Sequence, residues 1–257
     1  MVRALYSSYT GMNNEQKRLD IISNNIANAA TTGYKQESVT SQAFDQMLAI
    51  KIRDGSDAYI NRPIGRMSLG VKLGEVYSNF EQGSIRNTGN TFDIALSGKG
   101  FFTVRVEDKN GNSSMKYTRD GNFSMDAQGF IIDADGNHLQ GRDGDLQVPP
   151  DAKDIAISKA GVVTADGVTV GYIDVVDFEN YDYLEKFGDT MYNAIEGAAF
   201  KNTSATVEQG YLEQSNVNVV SEMVNMITIT RAYEANQRVM KTVDGLLDKA
   251  ANNVGRV

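Results

Sequence analysis

Apolar residues recur at helical spacing at both ends of the chain and at a spacing of two in between. Near the start, Leu5, Met12, Leu19, Ile22 and Ile26 share one helical face, with Asn14, Lys17, Arg18 and Asn24 opposite. This predicts a helix from residue 4 to about 30, stopped by Thr31-Thr32-Gly33 with Gly33 as its C-terminal cap. Near the end, Val219, Met223, Met226, Tyr233, Met240, Leu247 and Val254 step by three, four or seven. Those steps match a heptad seam. Asn216 or Asn218 is placed to cap this second helix, and Glu222 sits near its positive end. Roughly 38 helical residues would span about 55 Å, more than one small core can cover. A seam at each terminus predicts ends that pair with each other, with copies of themselves, or both. Gly11 and Gly245 interrupt the two helices, either to let helices approach closely or at a cost in fraying.

Between the helices the period changes. Ile94 and Leu96 alternate with other residues, as do Phe102, Val104 and Val106, then Ile155 and Ile157, then Val168, Val170 and Tyr172. Asn-Gly and Asp-Gly turns divide the stretch, at Asn110-Gly111, Asp120-Gly121, Asp135-Gly136, Asp143-Gly144 and Asp166-Gly167. Short strands joined by such turns read as antiparallel hairpins. In residues 34–75, Phe44, Met47, Leu48 and Ile52 allow one short amphipathic helix, but Asp54-Gly55-Ser56-Asp57 and Arg62-Pro63-Ile64-Gly65 break it, and most of the segment reads as extended or irregular. The expected fold is α+β. Long N- and C-terminal helices (residues 1–35 and 210–257) form a coiled-coil-like assembly module, 36–75 is an extended linker region, and 76–209 is a central antiparallel β-domain.

Composition removes several functions. The chain of 257 residues has a net charge of −8 and no long basic run, which argues against nucleic acid as a partner. It has no Cys, so disulfides and thiolate metal sites are excluded. Its N-terminus lacks the apolar stretch of a cleavable secretory signal, and no window approaches the roughly 18 apolar residues of a membrane span, so no membrane insertion is expected. Catalytic chemistry is thin. The single His, His138, stands beside an Asp-Gly-Asn turn, where a solvated side chain is the ordinary reading. Gly98-Lys99-Gly100 lacks the spacing of a phosphate loop and the third Gly of a dinucleotide fingerprint. Asp133-Ala134-Asp135-Gly136-Asn137 misplaces the Gly and the final acid of a calcium loop. No catalytic, cofactor or metal residue is expected. The apolar stripes predict an assembly interface of Leu5, Met12, Leu19, Ile22, Ile26, Val219, Met223, Met226, Tyr233, Met240 and Leu247.

Four strings carry a further signal: Ser23-Asn24-Asn25-Ile26-Ala27-Asn28-Ala29-Ala30-Thr31-Thr32-Gly33-Tyr34-Lys35; Asp93 to Phe102, which ends Gly98-Lys99-Gly100-Phe101-Phe102; Tyr117-Thr118-Arg119-Asp120-Gly121-Asn122-Phe123; and Ser215 to Ile227, followed by Arg231-Ala232-Tyr233-Glu234-Ala235-Asn236. Together, in this order, they resemble the bacterial flagellar rod, hook and hook-junction family, and most closely its distal rod members. The resemblance marks Asn24, Asn25, Asn28, Gly33, Tyr34, Asn216, Asn218, Arg231, Tyr233 and Glu234 as motif residues. It implies an axial protein that leaves the cytoplasm through the flagellar type III export apparatus without a cleavable signal peptide. Such a protein polymerises into a hollow helical tube in the basal body, and its partners are copies of itself and other rod and hook proteins. A proximal rod or hook-junction subunit is the nearest alternative. A non-polymerising coiled-coil adaptor and a cell-envelope glycan-acting enzyme are readings from other classes, and the second would need a carboxylate pair that nothing marks.

Overall fold

A computed structural model describes residues 2–45, 47–50, 63–107 and 111–254. The chain divides into two units. The first holds Met1–Ile26, Glu37–Ser78 and Val219–Val257, and the second holds Ala27–Gln36 and Asn79–Asn218.

The first unit contains α1 (Val2–Ala27), β1 (Glu37–Ala43), β2 (Met47–Ile50), β3 (Pro63–Met67), β4 (Val71–Ser78) and α2 (Val219–Lys249), with a π-helical turn at Ala250–Val254. Strands β1 and β4 pair antiparallel from Glu37↔Ser78 to Ala43↔Val71, with an irregularity between Val39 and Ser41. Thr40 serves that irregularity. Its hydroxyl accepts the Glu75 N–H at 3.0 Å and donates to the Glu75 carbonyl at 3.3 Å, which replaces the missing ladder bonds. Helix α1 is tied to β1 by polar side chains. Asn25 Nδ2 donates to the Glu37 carbonyl at 2.8 Å and its Oδ1 accepts the Glu37 N–H at 3.0 Å, so one amide side chain imitates a neighbouring strand. Asn14 Nδ2 donates to Ser41 Oγ at 3.0 Å. Where a short helix was considered, residues 47–50 are instead β2, paired with β3; Ile52 and the Asp54–Asp57 turn lie outside the described residues.

Two expectations are corrected here. The terminal helices do not form a coiled-coil-like module: no long coiled-coil pair is present among the described residues, although the fold is α+β. Both helices share their unit with the β1–β4 ribbon, and the apolar residues they bury among the described positions are Ile22, Ile229 and Val243. The physical reason is that heptad spacing only aligns apolar residues and does not supply a partner; here polar bonds from Asn14 and Asn25 commit one side of α1 to β1. Second, Gly33 does not cap α1, which ends at Ala27. Gly11 and Gly245 are also distinguished. A Cβ on Gly11 would lie 3.0 Å from Asn236 Nδ2, whereas one on Gly245 would meet nothing within 4 Å. Close approach explains the first glycine, and packing does not explain the second.

Among its described residues, the second unit is all β apart from one 3-10 turn at Tyr181–Tyr183. In chain order its strands are β5 (Ile85–Asn87), β6 (Ile94–Ser97), β7 (Phe101–Glu107), β8 (Ser113–Thr118), β9 (Ser124–Met125), β10 (Ile131–Ile132), β11 (His138–Gly141) and β12 (Gly144–Asp145). They continue with β13 (Ile155–Ile157), β14 (Val162–Ala165), β15 (Val168–Tyr172), β16 (Val175–Phe178), β17 (Leu184–Phe187), β18 (Met191–Ala194), β19 (Phe200–Lys201), β20 (Thr206–Gln209) and β21 (Tyr211–Glu213). The main sheet runs β17-β18-β8-β7-β11-β10-β9, with β12 on β11, β16 on β7 and β19 on β16. Every pairing is antiparallel, as the turn chemistry predicts. A three-stranded sheet β13-β14-β15 and the pairs β20-β6 and β21-β5 complete the unit.

Strand β7 organises this unit, because it is buried on both faces. Phe102 and Val104 enter a core with Ile94, Leu96, Phe123, Leu139, Val148, Val163 and Val207. Phe101 faces the other way, into Tyr117, Phe178 and Tyr192, where Phe80 and Tyr181 meet it edge-on at ring separations of 5.6 and 5.9 Å. Edge-to-face rings suit the aromatic quadrupole. In this cluster Tyr181 donates to Asp177 Oδ1 at 2.8 Å, and burial, with that bond, pushes its phenol up to about 12.

Gly121 shows how closely the backbones approach, since a Cβ there would fall 1.5 Å from the Ile94 carbonyl oxygen. Gly121→Ala should therefore destabilise the protein by at least about 1–3 kcal/mol, the cost of forced overpacking. Urea unfolding followed by near-ultraviolet circular dichroism checks this; an unchanged midpoint would show that the loop yields freely.

Candidate assembly site

On α1, Leu5, Met12, Leu19 and Ile26 are half-buried and Ile22 is buried. On α2, Val219, Met226, Tyr233, Met240 and Leu247 are half-buried, while Met223 is 49% exposed. The inward positions of α2 also include Ile229, Asn236 and Val243. With Met226, Tyr233, Met240 and Leu247 these make an unbroken three-four repeat, in which Ile229, Asn236 and Val243 fill the sevenfold steps expected from the sequence. On another side of α2 the seam spacing picks out Met223 but not its apolar neighbours. Val220, Met223, Val224 and Ile227 form a second apolar face on the first turns of α2, and they are 73, 49, 58 and 55% exposed. Apolar side chains grouped and exposed in this way are common where proteins meet a partner.

The motif residues divide by role. Asn25 clamps β1, as described above. Asn28 Oδ1 accepts the Thr31 hydroxyl at 3.1 Å, closing the turn after α1. Asn24, Asn218, Arg231 and Glu234 are exposed; Glu234 pairs with Arg238 at 3.9 Å on the helix surface, where such pairs stabilise little. Asn216 is spent on neighbouring chain segments: its Oδ1 accepts the Gln36 N–H at 2.8 Å, and its Nδ2 donates to the carbonyls of Asn79 at 2.8 Å and Glu81 at 3.1 Å. Gly33 has φ +66°, and a Cβ there would come within 2.3 Å of the Asp120 nitrogen. Its own N–H donates to the Glu213 carbonyl at 2.9 Å. Tyr34 is fully buried under the Lys186 ammonium, 4.6 Å from its ring centre.

Gly33, Tyr34 and Asn216 stand beside a buried ionic cluster of the second unit: Gly33 bonds the Glu213 carbonyl, and Asn216 shares the Glu81 carbonyl with Lys35. Lys35, Glu213 and Arg119 are 0, 1 and 3% exposed. Lys35 Nζ donates to Glu213 Oε1 at 2.5 Å and to the Glu81 carbonyl at 2.8 Å. Arg119 Nη1 donates to Glu213 Oε2 at 3.2 Å, and its Nη2 donates to the Gly98 carbonyl at 2.9 Å. The Gly83 N–H gives Glu213 Oε1 a further donor at 3.0 Å. Burial pulls the Lys35 ammonium below its ordinary range, and Glu213 pulls it back. Nothing in the residue types foretells this, because Lys and Glu belong on the surface unless paired. Beside the cluster, Asp120 Oδ1 accepts the Thr32 hydroxyl at 2.6 Å and the Asn122 N–H at 3.1 Å. Burial pushes its carboxyl above the ordinary value of 3.8 against those two bonds, and Asp133 and Asp135 add to the rise.

His138 and Asp133 make packing and turn contacts. His138 lies in β11, packed edge-on against Phe130 at 5.0 Å, with Nδ1 4.0 Å from Asp145, so it is less solvated than its turn implied. Asp133 Oδ1 accepts the N–H groups of Asp135 and Asn137 at 2.9 and 2.8 Å, which closes a turn. No group of three metal-ligating side chains occurs among the described residues. No helix is long and apolar enough to cross a membrane among those residues.

Three family models match, in the order of the four strings. Residues 5–35 match the flagella basal body rod protein model, 95–165 the flagellar hook protein FlgE/F/G D1 domain, and 208–253 the flagellar basal body rod FlgEFG protein C-terminal region. The flagellar basal-body rod protein FlgG of Bacillus subtilis strain 168 is 33% identical over 98% of this chain and 99% of its own length. The chain belongs to the flagellar basal-body rod protein family. FlgG of Agrobacterium fabrum is 32% identical over 98% of this chain and all of its own length. FlgF of Caulobacter vibrioides is 33% identical over the full length of both. The first matched region holds α1 from Leu5 onward together with Lys35, and the last holds Glu213 and α2.

Glu213→Gln removes the shared anion and leaves two buried cations. Breaking a buried pair in this way costs about 3–5 kcal/mol, and urea unfolding should show a loss of that size; a loss under about 1 kcal/mol would mean that water reaches the cluster. Asp120 gives a pH test. Its folded-state pKa is raised, so its contribution to stability is fully present below 3.8 and is lost as pH rises through the folded value. Asp120→Asn keeps the acceptor for Thr32 and Asn122 but cannot ionise. The variant should lose that fall in stability above about pH 4 and match or exceed the parent at neutral pH. Urea midpoints measured across the acid range check the sign, and a variant weaker than the parent at neutral pH would reverse it.

Proposed function

We propose that this chain is a structural subunit of the flagellar basal-body rod, in its distal part, and has no enzymatic role. It polymerises through its terminal helices into a hollow helical tube that transmits torque and forms part of the export channel. Its partners are copies of itself, the adjoining rod and hook proteins, and the flagellar export apparatus that delivers it. The relatives' names support the basal body as its location. The observation that carries the assembly role is the exposed apolar face of α2, Val220, Met223, Val224 and Ile227, in a unit with little net charge to oppose association. That unit has 13 basic and 11 acidic residues, a net of +2, while the β unit has 12 and 22, a net of −10. Like charge keeps the β units of neighbouring copies apart, so the attraction between copies falls to the helices.

The half-buried positions Leu5, Met12, Leu19, Ile26, Met226, Tyr233, Met240 and Leu247 join this interface in the proposal. Ile26→Asp with Leu247→Asp should leave the β unit folded and abolish polymer, because a heterologous contact is repeated at every subunit. Negative-stain microscopy and swimming of a complemented deletion strain read the outcome; rods and motility with the double variant would remove these positions from the interface.

A further inference from the structure

Glu213 is shared between two parts of the chain that sequence keeps far apart. Lys35 follows the end of α1 at Ala27, and Glu213 precedes the start of α2 at Val219. Each segment is held to the same carboxylate. Lys35 takes Oε1 at 2.5 Å and Arg119, from the β8 end of the main sheet, takes Oε2 at 3.2 Å. The Lys35 ammonium donates to Glu213 Oε1 and to the Glu81 carbonyl. If the 33–36 segment left, Lys35 would regain water but Glu213 would lose a charge partner; if the 211–214 segment left, two buried cations would lose theirs at once. Buried charges without partners are strongly disfavoured, so departure of either segment weakens the hold on the other.

We propose that the Glu213 carboxylate couples the segment leading out of α1 to the segment leading into α2, so that the two open and close as one. Two backbone-directed ties run in parallel, Gly33 N–H to the Glu213 carbonyl and Gln36 N–H to Asn216 Oδ1; they set register, and the ion pairs set the penalty. The consequence rests on the assembly role proposed above: a subunit whose two terminal helices act together is presented to its neighbours with both held or both released. A half-formed subunit, with one end docked, is suppressed.

Hydrogen exchange with mass spectrometry on the full-length monomer tests the coupling without requiring assembly. In the parent protein, peptides covering 27–36 and 211–218 should exchange with one common opening, seen as equal opening rates and parallel response to low urea. Lys35→Met removes the N-terminal tie and one of the two charge partners of Glu213, and should speed exchange at 33–36 by at least about tenfold while 211–214, still on Arg119, speeds up several-fold less, so that the common opening splits in two. Arg119→Met should speed both segments together. Lys35→Gln serves if the Met variant does not fold, and the measurement on the parent stands without either. Unrelated opening rates in the parent, or equal loosening of both segments by the Lys35 substitutions, would overturn the coupling. Coupled exchange together with failed polymerisation would leave the coupling standing and count only against the assembly role.

Discussion

A buried carboxylate held by two cations ties the segment that follows α1 to the segment that precedes α2 within the β unit. Glu213 cannot be left in the β unit without Lys35 and Arg119, and they cannot be buried without it. Its strand makes the constraint directional. β21 pairs with β5 at Glu213↔Ile85, and a slip of one residue would turn Glu213 to the opposite face. A Leu in its place would tolerate the error far better. A well-packed apolar trio of similar volume is often as stable, so what the ion pairs add over such a trio is the penalty for any arrangement that leaves one charge alone. The glycines nearby follow from the same crowding. Gly33 and Gly121 let segments pass where a Cβ would meet backbone at 2.3 and 1.5 Å.

The β unit supplies the rigid wall against which that cluster is buried. Because β7 is covered on both faces, its first four residues are buried in succession. A strand with one wet face would alternate. The aromatic cluster on the second face carries Phe101, and Arg119 lies over that ring at 5.4 Å from its centre. Arg119 is thus placed by apolar packing on one side and by Glu213 and the Gly98 carbonyl on the other. The anion partner of Lys35 is held in position by a core that lies mostly elsewhere in sequence.

Period and turn chemistry made much of the fold legible. The 3.6-residue stripe around Ile22 translates directly into α1, and the turns at Asp135-Gly136, Asp143-Gly144 and Asp166-Gly167 into the antiparallel pairs β10–β11, β11–β12 and β14–β15, because both depend on local backbone geometry; Asp120-Gly121, expected as a hairpin turn, instead links β8 to β9, which do not pair with each other. Pairing of the helices was not legible. The heptad steps of Met226, Tyr233, Met240 and Leu247 describe one face of α2 and do not say what lies against it, and the coiled-coil expectation failed at that point. The ribbon between residues 37 and 78 was obscured for a related reason. Its contacts to α1 run through Asn14 and Asn25, and a polar residue on a helix looks the same whether it binds water or a strand. The ionic cluster was the least legible of all, since a paired buried Lys has the same letter as a solvated one. The family strings nonetheless contained Lys35 and Arg119, as parts of motifs whose physical reason only the contacts reveal.

Association through the helices asks the exposed face of α2 to become buried in the assembled state. Hydroxyl-radical footprinting reads this residue by residue, and Met223 is a sensitive reporter because its thioether oxidises readily. Val220, Met223, Val224 and Ile227 should be labelled in the dilute monomer and lose most of that labelling in isolated basal bodies or reconstituted polymer, while exposed β-unit residues such as Val168 serve as reference. Equal labelling of Met223 and its neighbours in both states would contradict assembly through the terminal helices.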